Sequence, residues 1–402
     1  MKKKMRLRGI CAALSLVLII IMFIAPTAHA WGYHAFSVGT DYGSGNIDTS
    51  SDATTASTYY SRIMPSSYSI IPTVSIMTGS FSDGLPRIKS DILFLSGHGN
   101  FNNVVFNYHQ QGGTYKTGVY YTNSCTADGY TLIGLNGNML NTQLIVFAAC
   151  KTASGTDNLA SNAHNYGAIA SVGWTASVVS TTHSTWLNRF NDYVTSSHSV
   201  QAAVNYANSF TYLPLSGVKT AKIYGTNGWI PHISDEGLSS PIIPETDENY
   251  RNFDIMKISD DLMVRLGLDP FSTDIRVYES YPGYYTIDFV RMVGVVETDS
   301  IYTVFIENYD LSEIIDHSYL IDPETEQKIL KAVNAHTNHQ HLDNMQSALE
   351  TVDACDDKKG IAQEFCYYYN RENGMVYEVV ATDYYYDGTT ALGRELQLFI
   401  IE

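Results

Sequence analysis

The sequence predicts an α/β domain with a mostly parallel sheet and helices on both faces, followed by a separate α+β domain built on an antiparallel sheet. Three observations carry this expectation. Between Ala35 and about Tyr224, short continuous apolar runs alternate with amphipathic stretches, the pattern of strands buried on both faces. Around 238–250, Leu-Ser-Ser-Pro-Ile-Ile-Pro-Glu-Thr-Asp-Glu-Asn-Tyr combines two prolines with acidic and small polar residues, which marks a boundary. Beyond it lie long Tyr- and Val-rich runs suited to antiparallel strands. With 402 residues, 45% apolar and 16% charged, the chain is long enough for two domains and too hydrophobic to be disordered.

The first thirty residues read as a secretory signal peptide. Lys2, Lys3, Lys4, Arg6 and Arg8 precede an uncharged run from Ile10 to Ala25, and the small-residue ending Ala28-His29-Ala30 follows. That run falls short of the roughly 20 residues that span a bilayer. The mature protein is therefore expected to be secreted and free of the membrane, with domains at 31–240 and 251–402 joined by a linker at 241–250.

In the first domain the strands expected are 35–38, 69–74, 92–95, 144–147 and 168–172, and the helices 53–63, 155–165, 182–195 and 198–209. The segment 103–137, with alternating β-type residues and Gly112-Gly113, reads as hairpins beside the main sheet. In the second domain, strands are expected within 284–296, 301–306, 376–386 and 396–401, with helices near 259–267 and 322–336.

Charge narrows the partners. Lys+Arg number 24 against 41 Asp+Glu, a formal net charge of −17, and loss of residues 1–30 removes five basic residues and no acidic ones. Nucleic acid needs clustered positive charge, so protein or peptide partners, neutral or basic, are expected instead. Of five cysteines, Cys11 leaves with the signal peptide. Cys355 and Cys366, eleven positions apart, are candidates for a local disulfide outside the cell. Cys125 and Cys150 then remain, and an unmatched thiol in a secreted chain points to chemistry.

Two buried-strand runs end in reactive residues: Asp91-Ile-Leu-Phe-Leu-Ser-Gly97-His98-Gly99 and Gln143-Leu-Ile-Val-Phe-Ala-Ala149-Cys150. Neighbouring parallel strands would bring an imidazole and a thiol to one sheet edge, where ligands of open sheets bind. In such a dyad Cys150 attacks a carbonyl carbon and His98 manages protons. The backbone N–H groups of Gly99 and Cys150 are the expected oxyanion donors.

These two blocks resemble the clan of cysteine peptidases that includes caspases, legumain, clostripain and gingipains, in which one hydrophobic block ends in His-Gly and a second in Ala-Cys. The separation of 52 residues between His98 and Cys150 is similar to that of caspases. Gly167 to Trp174, Trp186 to Tyr193 and Ser199 to Ala207 resemble the gingipain and CHAT-type branch, so the likeness covers about 34–225. It implies a caspase-like fold and peptide-bond hydrolysis through a thioacyl intermediate, with no cofactor. It also makes Trp174, on the strand after the nucleophile, a wall of the substrate pocket. The caspase pentapeptide beginning Gln-Ala-Cys is absent, since Ala148 and Ala149 precede Cys150, so a preference for Asp does not follow. Asp41, in a Gly-rich loop, is a candidate carboxylate for a basic substrate side chain, with an exposed loop acid as the plainer reading. A legumain-like role for the second domain, inhibiting the first, is a further expectation. The rival function is a non-catalytic secreted binding module that keeps the same fold with a silent site.

Two other clusters read as structural. His336, His339 and His341 have the composition of a zinc site but no accompanying Cys or fixed carboxylate ligand in the sequence, which favours a solvated helix end. Asp353, Asp356 and Asp357 lack the spaced loop of a calcium site. No metal is therefore expected.

Overall fold

The computed structural model describes residues 34–42, 47–64, 66–70, 90–110, 114–120, 130–131, 139, 142–229, 253–336, 338–354, 358–386 and 392–401. The expected signal peptide and linker lie outside them, as do Cys125 and Cys355. No helix among the described residues is long and apolar enough to cross a membrane.

The chain opens with β1 (His34–Val38), α1 (Ser50–Tyr60), β2 (Ser66–Ile70) and β3 (Ile92–Ser96). It then makes an excursion through β4 (His98–Asn100), β5 (Asn103–Gln110), β6 (Thr114–Tyr120) and β7 (Tyr130–Thr131). The main sheet resumes with β8 (Leu144–Ala148), α2 (Leu159–Asn165), β9 (Ala170–Trp174), α3 (Ser180–Val194), α4 (Val200–Asn208) and β10 (Ala221–Gly225). Its strand order is β10-β9-β8-β3-β1-β2, parallel throughout except for β10 against β9.

Side chains alternate across this sheet, which explains why its strands read as unbroken apolar runs. Ile92 and Phe94 join Leu144 and Val146 in one core with Tyr60, Trp186, Phe190 and Val204 from α1, α3 and α4. Leu93 and Leu95 join Ile145 and Phe147 in a second core on the opposite face, closed by Leu159, Ala160 and Ala163 of α2. A residue facing either way is buried, so neither position in the alternation tolerates charge.

The C-terminal half holds α5 (Ile255–Arg265), β11 (Thr273–Tyr281), β12 (Tyr284–Val293), β13 (Val296–Glu307), β14 (Asp310–Asp316), α6 (Pro323–Ala335), α7 (Asn338–Asp353), β15 (Lys358–Asn370), β16 (Met375–Tyr386) and β17 (Leu392–Ile401). Its strands are antiparallel neighbours except β13 and β15, which run parallel, as a connection through two helices permits.

Mixed α/β content with one mostly parallel and one mostly antiparallel sheet is thus present. The second sheet differs from the expected arrangement in one respect: it recruits the excursion. Its order, β11-β12-β13-β15-β16-β17-β4-β5-β6-β7, joins strands from both halves, because Leu392 of β17 pairs with Gly99 of β4. The hairpin segment therefore extends the C-terminal sheet rather than standing beside the first. A buried ion pair adds a second tie. Lys219 Nζ donates to both Asp288 carboxylate oxygens at 2.9 and 2.7 Å, and Thr303 Oγ1 donates to the same carboxylate at 2.7 Å.

Candidate active site

Adjacent parallel pairing of β3 and β8, in register from Ile92 with Leu144 to Ser96 with Ala148, sets their carboxyl ends side by side. His98 and Cys150 each follow two residues after those ends. Both line one small cavity of about 20 Å³. It lies where the strand order changes direction, between β1 and β3, the usual ligand crevice of an open parallel sheet.

Local sequence explains the closeness. The Gly97 N–H donates to the Ala148 carbonyl at 3.3 Å, tying the start of β4 to the end of β8. A β-carbon on Gly99 would sit 2.7 Å from Ala149 Cβ and 3.3 Å from the Cys150 carbonyl oxygen. Glycine is required there for the two chains to approach. After Cys150 the chain reverses at Lys151, whose φ of 56° is left-handed, and the Lys151 N–H donates to the Ala176 carbonyl at 3.0 Å.

His98 is held by Tyr42. The Tyr42 hydroxyl accepts from the His98 N–H at 2.8 Å and donates to the Val105 carbonyl, and the Tyr42 and His98 ring centroids lie 4.6 Å apart. Tyr384, from β16, meets the imidazole edge-on at 5.7 Å. Burial pushes the His98 pKa down to about 3, opposed by a hydrogen bond with the Leu392 backbone. Cys150 is fixed by Val178: the Val178 N–H donates to Sγ at 3.3 Å, and Sγ faces the Val178 carbonyl at 3.7 Å. Burial pushes its thiol up to about 11, with Asp383 raising it further and Val178, Arg394 and Lys151 lowering it. Both groups are therefore uncharged near neutral pH.

The C-terminal half shares in that burial: its Tyr384, Leu392, Gly393 and Arg394 form one side of the cavity. Leu392 pairs with Gly99 and Arg394 bridges in parallel to Val179. Arg394 grips Asp383 with Nε at 2.6 Å and a terminal nitrogen at 3.2 Å, and its other nitrogen donates to the Leu215 carbonyl at 3.0 Å. Ser177 Oγ donates to the same Asp383 at 3.1 Å. A strand from the second half thus lies between the histidine strand and the loop that holds the cysteine.

No protein-family model matches the chain, and no curated protein matches it.

Among the other residues singled out in the sequence, Gly99 is paired with Val104 on one side and Leu392 on the other. Trp174 is fully buried; its Nε1 donates to the Val218 carbonyl at 2.9 Å. It does not line the cavity but backs it, meeting His183 edge-on at 4.3 Å. Asp41 bridges to Asp48 and is not among the lining residues. Cys366 is a free thiol on β15, and its proposed partner Cys355 lies outside the described residues.

The histidine cluster differs from a solvated helix end. His336 Nε2 lies 3.0 Å from a carboxylate oxygen of the fully buried Glu378, His341 Nδ1 contacts the other oxygen, and Asn344 donates to Glu378 at 2.6 Å. Only His339 is exposed at the surface, 3.7 Å from Asp343. The strand position of Glu378, distant in sequence, is what the sequence reading could not supply. Of the acidic cluster, Asp353 accepts from the Gly360 N–H at 2.8 Å, while Asp356 and Asp357 lie outside the described residues.

Two lining residues were missed. Asp52, in the first turn of α1, accepts from Ser96 Oγ at 2.8 Å and Ser184 Oγ at 2.5 Å. His183, in the first turn of α3, is buried beside it in sequence to Ser184, with its pKa pushed down to about 3 by burial. An acid in an otherwise small, polar helix start (Ser50-Ser51-Asp52-Ala53) directly after β1 was the available signal, but it is also ordinary helix-start composition.

Proposed function

We propose that the protein is a secreted cysteine peptidase, with a caspase-like catalytic domain and an accessory C-terminal domain, that cleaves protein or peptide substrates through Cys150 and His98. The observation that carries this reading is the convergence of thiol and imidazole on one cavity beyond the ends of two adjacent parallel strands. Sγ of Cys150 attacks the scissile carbonyl carbon, His98 carries a proton to the leaving amine, and a thioester remains on the enzyme. Water then attacks the thioester, His98 accepts its proton, and the carboxylic acid leaves as the thiol is restored. The Gly99 and Cys150 N–H groups serve the oxyanion.

In the closed arrangement neither group is reactive, and a cavity of about 20 Å³ admits no polypeptide. The reading therefore includes the second half as an inhibitor: the Leu392–Arg394 segment lies in the cleft, and its withdrawal lets water reach both groups. His98 then returns toward 6.5 and Cys150 toward 9.0, which raises the thiolate population and makes the imidazole a competent base. The rival reading, a binding module with a silent site, draws support from the uncharged state of both groups. Hydrolysis of a mixed peptide library under reducing conditions tests the proposal, with Cys150→Ala as control. Turnover that depends on Cys150 supports it; equal turnover by both proteins refutes it.

A further inference from the structure

The C-terminal half carries a groove of about 430 Å³ that shares no lining residue with the cavity of Cys150. One wall is α6, through Ile329, Ala332 and Ala335; the other is the start of β16 and the end of β17, through Met375, Val376 and Ile400. Its floor is the local core, in which Ile329, Val376 and Ile401 pack together, none more than 6% exposed. That core does not close over at this end. The alanines of α6 are too small to fill the space between helix and strands, and Met375 and Ile400 are left 42% and 56% exposed. Single apolar residues at a surface need no explanation, but a continuous apolar groove within the size of ligand pockets, about 300–1,000 Å³, does.

Charge at the rim says what the groove would take. Lys328 and Lys331 both line it and both are exposed. Among the described residues the ion-paired lysines are Lys219, Lys222 and Lys358, so these two ammonium groups are uncommitted. The chain has 41 acidic residues and a net charge of −17, yet no acidic residue is among the described residues that line the groove. Two cations above an apolar slot favour an amphiphile with a negative head. The lining is aliphatic apart from Tyr369, which suits an alkyl chain. Its side chains offer only the hydroxyls of Thr325 and Tyr369 to a peptide backbone, which carries a donor and an acceptor at almost every residue.

We propose that this groove is a binding site for a long-chain fatty acid, whose alkyl chain lies between α6 and β16 and whose carboxylate meets Lys328 and Lys331. The site is independent of the peptidase reading.

Calorimetric titration of the full mature chain with octanoate, decanoate and dodecanoate, each below its micellar concentration, tests it. Affinity is expected to rise at least about twofold per added methylene, against about fourfold for complete burial. Dodecyltrimethylammonium, the same chain length with a cationic head, is expected to bind at least about tenfold more weakly than dodecanoate. Lys328→Gln with Lys331→Gln should weaken dodecanoate about 25-fold, roughly fivefold for each contact charge in water. Ala335→Trp, at an exposed position, should fill the groove and abolish binding while leaving the thermal unfolding midpoint unchanged. A dodecanoate analogue with a terminal diazirine should mark peptides from 325–335 or 374–401. Absence of dodecanoate binding, equal binding of the cationic analogue, or labelling confined to other segments overturns the proposal. A dimer that Ala335→Trp dissolves, without dodecanoate binding, assigns the groove to a second copy of the chain and overturns it as well.

Discussion

The proposed closure of the cleft by the C-terminal half makes a quantitative prediction for Arg394→Ala. Arg394 and Asp383 are 9% and 8% exposed at their side chains, so loss of one partner leaves the other buried and uncompensated, at about 3–5 kcal/mol. Part of that cost falls within the C-terminal half, because both residues belong to it. The portion specific to closure is the charged donor to the Leu215 carbonyl at 3.0 Å, worth about 1.5–3 kcal/mol. Every 1.4 kcal/mol is about tenfold in an equilibrium, so the open population should rise about 10- to 150-fold. Alkylation of Cys150 by iodoacetamide reads that population. In the closed state the thiol stands at about 11 rather than 9.0, which cuts the reactive thiolate about 100-fold, so labelling proceeds through the open form. Labelling of the same chain unfolded in denaturant gives the rate of the exposed thiol as reference. Arg62→Ala, which breaks a half-exposed pair with Asp192, should change nothing. A gain below about threefold for Arg394→Ala, or an equal gain for Arg62→Ala, would refute the closure argument.

Two further predictions follow from buried ionisable groups. His98 and His183 have pKa values near 3 in the fold against 6.5 when exposed, so the unfolded chain binds protons that the folded chain does not. Their contribution to stability is fully present above about pH 6.5 and is lost as pH falls toward 3, at about 2.7 kcal/mol per pH unit for the pair. Urea unfolding at pH 7, 6 and 5 should show the decline, with roughly half of it removed by His183→Phe; a variant as pH-sensitive as the parent would contradict this. Lys219→Met should cost about 3–5 kcal/mol by stranding Asp288, whereas Lys219→Met with Asp288→Leu should recover most of the loss. Thermal unfolding of both variants decides it, and equal destabilisation would show that the pair is not acting as a unit.

The parallel sheet was legible because its physics is local. A strand covered on both faces must be apolar at every position, and Ile92–Leu95 and Leu144–Phe147 announce themselves as such. The helices α1, α3 and α4 start within a few residues of expectation for similar reasons. What escaped were elements whose pattern is shared with solvent. Helix α7 buries only Ala348 and Val352, so its periodicity is faint. Strand β15 carries Lys, Glu and Gln on a largely open face, and β14 is almost wholly exposed. The joining of β4 to β17 rests on the single register pair Leu392 with Gly99, and nothing in either short segment names its partner.

The candidate site divides along the same line. His98 and Cys150 were legible because each ends a buried strand, and two adjacent parallel strands can only place such residues together. Asp52 was not, because its distinction is entirely tertiary. At the start of a helix an aspartate is the expected residue, favoured by the exposed N–H groups, and sequence alone gives it that role. In the fold its carboxylate turns to Ser96 at the end of β3 and Ser184 at the start of α3, two elements far apart in the chain. The helix that follows β1 thereby brings a buried carboxyl group to the crevice that β3 and β8 supply with imidazole and thiol. Because its two hydrogen bonds join the end of β3 to the start of α3, Asp52→Ala should leave two buried hydroxyls without their acceptor and lower stability by about 1–3 kcal/mol in urea unfolding, and an unchanged midpoint would show that the carboxyl does not tie these elements together.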